Sequence, residues 1–263
     1  MVTQRWTEET VSLLGGKIVV LKGGSGEPLV VIHRDNGFPG RQPFLEELAK
    51  HFTVYVPALP GYPNGDPKAF TWMVNVRDLA ISQQLLVSDM GLSQVTVVGL
   101  GYGGWLVAEL ATMCKHLFKR MVLVGAMGIQ PEKGEIFDQF LSNTEDYART
   151  MFYDRARFEA IYTPLPDYDQ LEKWETCREQ TSRIGWKPYM YNRALPLLLK
   201  DVKVPTAVVW GREDKVVPLE CGELYSKAIP GSKLTVIDQC GHAADLEKPQ
   251  QVAKAVLSLA GKA

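Results

Sequence analysis

Three short stretches of this chain carry residue types that could do chemistry together. VVGLGYGGW (97–105) is an apolar run ending in glycines that open a helical pattern; WGREDKVVP puts Asp214 just after a late apolar run, and DQCGHAADLEKP puts His242 just after the last one. An imidazole oriented by a carboxylate titrates near neutrality and moves protons, so His242 and Asp214 are read as a general acid/base pair. Asp214 has a plainer reading as the residue that starts a turn, and Glu213, the weaker candidate for the acid, as a solvated loop charge. Gly99, Gly101 and Gly103 have the spacing of G-x-S-x-G, in which a nucleophile tops a sharp strand-to-helix turn and glycines flank it because the two backbones pass closely. Here the apex is Gly101, which offers no oxygen or sulfur for a covalent intermediate. Apex, acid and histidine nevertheless follow one another in the chain order typical of such sites.

Other readings of the same residues are weaker. Gly99, Gly101 and Gly104 also satisfy G-x-G-x-x-G, but that dinucleotide fingerprint wants an acidic residue about 20 positions on, and the next apolar run ends Leu123-Val124-Gly125-Ala126 with no carboxylate. Cys240, two residues before His242, could be a substitute nucleophile, but its place at a strand end reads better as a buried small hydrophobe.

Eight runs rich in β-branched residues stand ready to position these groups: 10–14, 17–21, 28–33, 52–59, 94–100, 120–126, 205–211 and 233–238. Gly15-Gly16 and GGSGE separate the first three, so the N-terminal part reads as antiparallel. From Ile32 onward the runs alternate with amphipathic helical patterns such as PFLEELAKH, WLVAELATMCKHL and QQVAKAVLSLA. Continuous apolar strands between such helices predict a mostly parallel sheet buried on both faces, with ligands bound at the carboxyl ends of the strands. One interval, about 127–195, has no clear strand and is rich in aromatics and charges, which predicts a helical insertion over those ends. The division expected is a core of 1–126 and 196–263 with an insertion of 127–195.

Composition excludes several classes. The 263 residues are 46% hydrophobic, enough for one large domain, and 29 Lys plus Arg against 30 Asp plus Glu leave no basic surplus for nucleic acid. Four scattered cysteines lack zinc-site spacing, so no metal is expected, and they read as reduced cytosolic thiols. MVTQRWTEET is not a secretory signal and no apolar run is long enough to span a membrane, so a cytoplasmic protein without membrane partners is expected.

PLVVIH, LPGYPNGDP, VVGLGYGGW, VPTAVVWGREDKVVP and the CGH turn together resemble the α/β-hydrolase fold proteins that bear a helical cap, over essentially the whole chain. The resemblance implies an eight-stranded, mostly parallel sheet flanked by helices, a cap insertion and a cofactor-independent site. Two departures stand out: Gly101 in place of the family serine, and His33-Arg34-Asp35 where the family has His-Gly at its oxyanion loop. The resemblance makes the backbone N–H groups of Tyr102 and Arg34 the oxyanion donors. The Arg34 guanidinium would bring positive charge to the pocket mouth and suit an anionic small molecule, an ion pair to Asp35 or to a cap residue being its plainer role. His33, Trp186, Tyr191 and Asn192, with Tyr189, are candidates for lining the site; a structural hydrogen bond under the loop for His33 and core packing for the others are the plainer roles. The function expected is a small-molecule hydrolase-like enzyme in which His242 and Asp214 act on an ester, lactone or C–C bond, or move a proton as in a lyase, without a covalent serine intermediate. Two alternatives stand beside it: a ligand-binding or sensor protein on the same fold, and a serine hydrolase inactivated by a Ser-to-Gly change. Exposed aromatics on the insertion could support a homodimer.

Overall fold

The computed structural model describes residues 5–38, 40, 42–114 and 116–262. Strands form at all eight of the β-branched runs: β1 (Trp6–Leu13), β2 (Gly16–Gly24), β3 (Glu27–Ile32), β4 (Phe52–Pro57), β5 (Val95–Leu100), β6 (Phe118–Val124), β7 (Thr206–Gly211) and β8 (Lys233–Ile237). They make one eight-stranded sheet in the order β1-β2-β4-β3-β5-β6-β7-β8. The hairpin of β1 and β2 turns at Leu14 and Gly15, both at positive φ, which is the two-residue turn that matches strand twist. β2 does not continue the antiparallel series into β3. It pairs antiparallel with β4, and β3 lies parallel to β4 on the other side. The reason is visible at Gly24, φ +80°, where any Cβ would overlap the carbonyl oxygens of Ala49 and Phe52: the chain leaves β2 by crossing closely over the start of β4. All pairings from β3 to β8 are parallel.

The helices are α1 (Pro43–Ala49), α2 (Val76–Asp89), α3 (Tyr102–Met113), α4 (Thr144–Thr150), α5 (Arg155–Tyr162), α6 (Tyr168–Gly185), α7 (Leu195–Leu198), α8 (Leu219–Ala228), α9 (Ala244–Glu247) and α10 (Pro249–Leu259). Alternate strand residues feed two cores: Val30, Ile32, Val95 and Val97 pack with α2, α3 and α8, and Leu29, Val31, Val98 and Leu100 with α1 and α10. No helix among the described residues is long and apolar enough to cross a membrane.

Between β6 and β7 the chain makes helices α4 to α7. Asn143, Asp154 and Asp167 cap the first three through their side chains. Phe152, Phe158, Tyr162 and Trp174 form their aromatic centre, with ring centroids 5.1 Å apart for Tyr162 and Trp174. This segment packs on the loops that follow the strands: the hydroxyls of Tyr62, after β4, and Thr181 are 2.7 Å apart, and Ala243 N–H, after β8, donates to Met151 O.

Two local devices fix the loops around the apex. At Gly103 an added Cβ would overlap the carbonyl oxygens of Ile32 and His33, and at Gly99 it would stand 2.5 Å from the Gly104 Cα, so α3 starts in direct backbone contact with β5 and the end of β3. His33 pins the next loop: its Nδ1–H donates to Arg34 O (2.7 Å) and its Nε2 accepts from Leu59 N–H (3.0 Å), which fixes the neutral tautomer. Burial pushes that imidazole down to about 4.

Two measurements check this. Gly103→Ala should cost about 2–3 kcal/mol of stability in urea unfolding, because the neighbours it meets are backbone and cannot turn aside; an unchanged midpoint would refute the close approach. His33 has a lower pKa folded than unfolded, so between about pH 6.5 and pH 4 only the unfolded chain takes up its proton. The stability from this group is therefore whole above about pH 6.5 and falls by roughly 3 kcal/mol by pH 4. Glu247, raised by burial, opposes it, so the quantity to compare is the slope of ΔG against pH in wild type and His33→Gln. The wild-type slope should be steeper; parallel slopes would count against the buried neutral ring.

Candidate active site

Four consecutive carboxyl ends of the sheet build the site. After β5, Gly101 adopts φ 52°, ψ −113°, a region that strains any residue with a Cβ by about 1–3 kcal/mol. The turn is held by backbone: Gly101 N–H donates to Val124 O (2.9 Å), and Gly101 O accepts from Gly104 N–H (3.0 Å) and Met127 N–H (3.1 Å). After β6, Gly125 at φ +55° passes close enough that a Cβ there would be 3.2 Å from His242 Nδ1 and 3.4 Å from Asp214 Oδ2.

After β7, Asp214 does two things at once. Its Oδ1 accepts from Val216 N–H and Val217 N–H, both at 2.8 Å, which is the turn role, and its Oδ2 lies 2.8 Å from His242 Nδ1. Both side chains of the pair are fully buried. After β8, the turn 238–242 is held by two carboxylates. Glu213 accepts from Cys240 N–H (2.9 Å), and Glu247 accepts from Gly241 N–H (2.6 Å) with one oxygen and from Tyr153 and Asp154 N–H (2.9 and 2.8 Å) with the other. Glu213 thus braces the histidine turn and does not face the imidazole nitrogen that Asp214 holds. Cys240 is buried, and burial pushes its thiol well up, against nucleophile chemistry.

With Nδ1 engaged, His242 presents Nε2, which is buried and has no hydrogen-bond partner among the described residues. That nitrogen lies 2.8 Å from where a Cβ at position 101 would be. The place a side chain at the apex would take is therefore occupied by the edge of the imidazole itself. Such a ring can take or give a proton at Nε2; no atom at the apex can form an ester with a substrate.

Tyr102 opens α3, so its N–H has no intrahelical acceptor. Its ring is buried edge-on to Trp105 at 5.8 Å, with the hydroxyl unpartnered among the described residues. Arg34 has its Cβ 3.2 Å from the Cβ position of Gly101, but its guanidinium does not reach a pocket mouth. It is 1% exposed and ion-paired with Asp245, because a buried guanidinium keeps its charge only against a partner. Neither the pocket-mouth charge nor the pairing with Asp35 is found. His33 is engaged at both ring nitrogens in the loop and lines no substrate surface with them.

The end of the insertion also differs from expectation. Trp186 is 53% exposed and packs on Phe140 and Tyr189; the Tyr189 hydroxyl donates to Phe137 O. Tyr191 and Asn192 line a separate cleft of about 330 Å³ against α2 and α3, where Asn192 Nδ2 donates to the buried Glu109 (2.6 Å). These residues close the flank of α3, and they do so because Gly128 N–H and Asn192 N–H exchange backbone bonds with Met190 O and Gly128 O. Asp35, Glu247 and Tyr147 were not singled out as site residues from sequence. The only signal was the unusual His33-Arg34-Asp35 triplet, since the partners of Asp35 and Glu247 lie about 100 residues away in the chain.

Comparison with known proteins agrees with this architecture. A 2-hydroxy-6-oxo-2,4-heptadienoate hydrolase of Pseudomonas putida F1 is 24% identical over 86% of this chain and 86% of its own. A pimeloyl-[acyl-carrier protein] methyl ester esterase of Vibrio vulnificus YJ016 is 27% identical over 91% of this chain and 96% of its own. Among solved structures, a meta-cleavage product hydrolase from Pseudomonas fluorescens IP01 superposes with a TM-score of 0.79 at 20% identity, covering 97% of each chain. Residues 29–255 match the family described as the Alpha/beta hydrolase family. Because that match runs from inside β3 to inside α10 and so covers well over half of the chain, the chain belongs to the alpha/beta hydrolase family.

Proposed function

We propose that this chain is a small-molecule hydrolase in which His242, oriented by Asp214, acts as a general base and acid on water or on a substrate proton, with no covalent enzyme intermediate. The observation that carries the reading is the buried His242–Asp214 pair with Nε2 unpartnered above a glycine. A buried, unpartnered nitrogen on an anchored ring is a poor structural element, costing about 1–3 kcal/mol, and a good proton acceptor for a bound molecule. The N–H groups of Tyr102 and Arg34 would receive negative charge developing on the substrate, and helices α4 to α7 would act as the cap. The relatives named above hydrolyse a dienoate and a methyl ester; activated esters, lactones and polarised C–C bonds are the substrate classes this favours. The free thiols of Cys114, Cys177, Cys221 and Cys240 support a cytoplasmic setting.

A panel of aryl esters, lactones and vinylogous diketones tests the reading. His242→Ala should lower kcat on any substrate turned over by about 10²–10⁴-fold, the usual range for removing a positioned general base. Equal rates in wild type and variant, or no turnover of any member, would leave a binding protein on a hydrolase fold.

Gly101→Ser separates this mechanism from a disabled serine hydrolase. The new Cβ enters a strained backbone region 2.8 Å from Nε2 and pushes the ring off its position. The variant should lose about 1–3 kcal/mol of stability and show no pre-steady-state burst of acyl-enzyme with 4-nitrophenyl acetate. A burst with raised turnover would show that the machinery is tuned for acyl transfer and sink the non-covalent mechanism.

A further inference from the structure

Asp35 is a buried carboxylate beside the apex that uses one oxygen to hold the insertion and does not orient the imidazole. It is 1% exposed. Its Oδ2 accepts hydrogen bonds from the Tyr147 hydroxyl (2.5 Å) and Gln139 Nε2 (3.1 Å), while Oδ1 is buried with no donor among the described residues. Leaving a charged acceptor without a donor costs more than leaving a neutral one, so the free oxygen marks a place where a donor belongs.

The nearby cations have other partners, although the Arg34 Nε is also buried with no acceptor among the described residues and the charge of Asp35 helps hold that of Arg34. Arg34 is paired with Asp245, and Arg178, which borders the same small void as Asp35, reaches Phe140 O at 3.2 Å and Glu175 at 3.7 Å. The negative charge acts on several buried side chains around it. Burial, and after it the charge of Asp35, pushes up the phenols of Tyr102 and Tyr147 and the thiol of Cys177. Tyr102 is the residue after the apex, and its hydroxyl is a second buried polar atom without a partner.

A path to this oxygen is present in outline. Asp35, Asn36, Tyr147 and Trp174 border a void of about 10 Å³, the room of one water. On the other side of Asn36 and Trp174 lies an outer cleft of about 250 Å³, bordered also by Gly37, Lys173 and Cys177.

We propose that Asp35 is the substrate-recognising carboxylate of this site, accepting a hydrogen bond from an N–H or O–H donor, an ammonium best of all, on a small molecule that enters from the outer cleft past Asn36 and Trp174. The proposal rests on the reading of this chamber as a small-molecule site and names the class of molecule. A cationic donor gains a charge-assisted hydrogen bond at Oδ1 and the faces of surrounding aromatic rings. An anionic ligand, which the Arg34 charge was expected to attract, would instead meet an uncompensated carboxylate. A bound ammonium also neutralises Asp35, and with it the repulsion that charge developing near the N–H groups of Arg34 and Tyr102 would feel.

The test uses three probes of one shape: benzylamine, benzyl alcohol and benzoate, with binding followed by calorimetry at about pH 7.5, where the first is a cation and the last an anion. Wild type should bind benzylamine at least about ten-fold more tightly than benzoate, with the alcohol between them. Asp35→Asn turns the free acceptor into a donor while Tyr147 and Gln139 keep an oxygen to bond, so the order should collapse or invert. Benzoate binding as tightly as benzylamine in wild type, no benzylamine binding at about 10 mM, or an unchanged order in Asp35→Asn overturns the proposal. The wild-type comparison stands even if the variant does not fold. Discrimination among the probes without turnover of the ester and lactone panel would sink the hydrolase reading alone; turnover without discrimination would sink this one alone.

Discussion

The structure depends on how closely three stretches of backbone pass one another at the end of β5. Gly103 lies against the carbonyls of Ile32 and His33, and Gly99 against Gly104, with no room for a methyl group at either contact. Dispersion and backbone hydrogen bonds hold that crossing, and everything chemical is hung from it. It sets the angle at which α3 leaves the sheet, and so the place of the Tyr102 N–H. It lays the His33–Asp35 loop beside the apex. It also sets the distance across which His242, arriving from the far end of the sheet, meets Gly101. A second crossing of the same kind, where Gly211 admits the carbonyls of Cys240 and Gly241, brings the acid-bearing and histidine-bearing turns together.

Among the described residues the buried ions around this crossing are each met by donors or an opposite charge, and Asp35 is met at one oxygen only. Arg34 has Asp245, Asp214 has two backbone N–H groups and an imidazole, and Glu247 has three backbone N–H groups. Such pairings offset desolvation more than they add stability, because each ion gives up water to make them. Their effect is positional. Glu247 joins the histidine turn to the start of α5, so that the insertion and the imidazole are registered against each other. Asp35, the exception, is held by one oxygen to the insertion and leaves the other free.

The sequence carried much of this. Strands were legible because an apolar, β-branched run between glycine-rich turns has few other uses in a chain of this composition, and the places of Asp214 and His242 followed from strand ends. The pairing of β2 with β4 was not legible, since it depends on a tertiary crossing at Gly24 that local turn signals do not encode. Arg34 was misjudged for a related reason. A residue type tells what charge it bears, while its direction was decided by Asp245, 211 positions later. Trp186 and Asn192 read as site residues because aromatics and amides often are; their neighbours on α3 and in the insertion, Glu109 above all, gave them other work.

A glycine at the apex alters what the site can do without altering how it is built. The sharp turn persists because Gly101 is bonded through its own N–H and C=O to Val124, Gly104 and Met127, and those bonds do not involve a side chain. The anchor of the ring above it likewise involves no atom of position 101, since Asp214 holds Nδ1 from behind and is itself fixed by Val216 and Val217, but the ring edge occupies the place a Cβ at 101 would take. A serine in such a turn would stand between imidazole and substrate, taking the proton transfer and the covalent bond on one oxygen. Under the proposed mechanism the two tasks would separate: bond formation would pass to water or to the substrate itself, and the imidazole would deal directly with whatever lies against Nε2. The fold therefore keeps an anchored imidazole, its Nε2 without a partner among the described residues, at the meeting point of four strand ends.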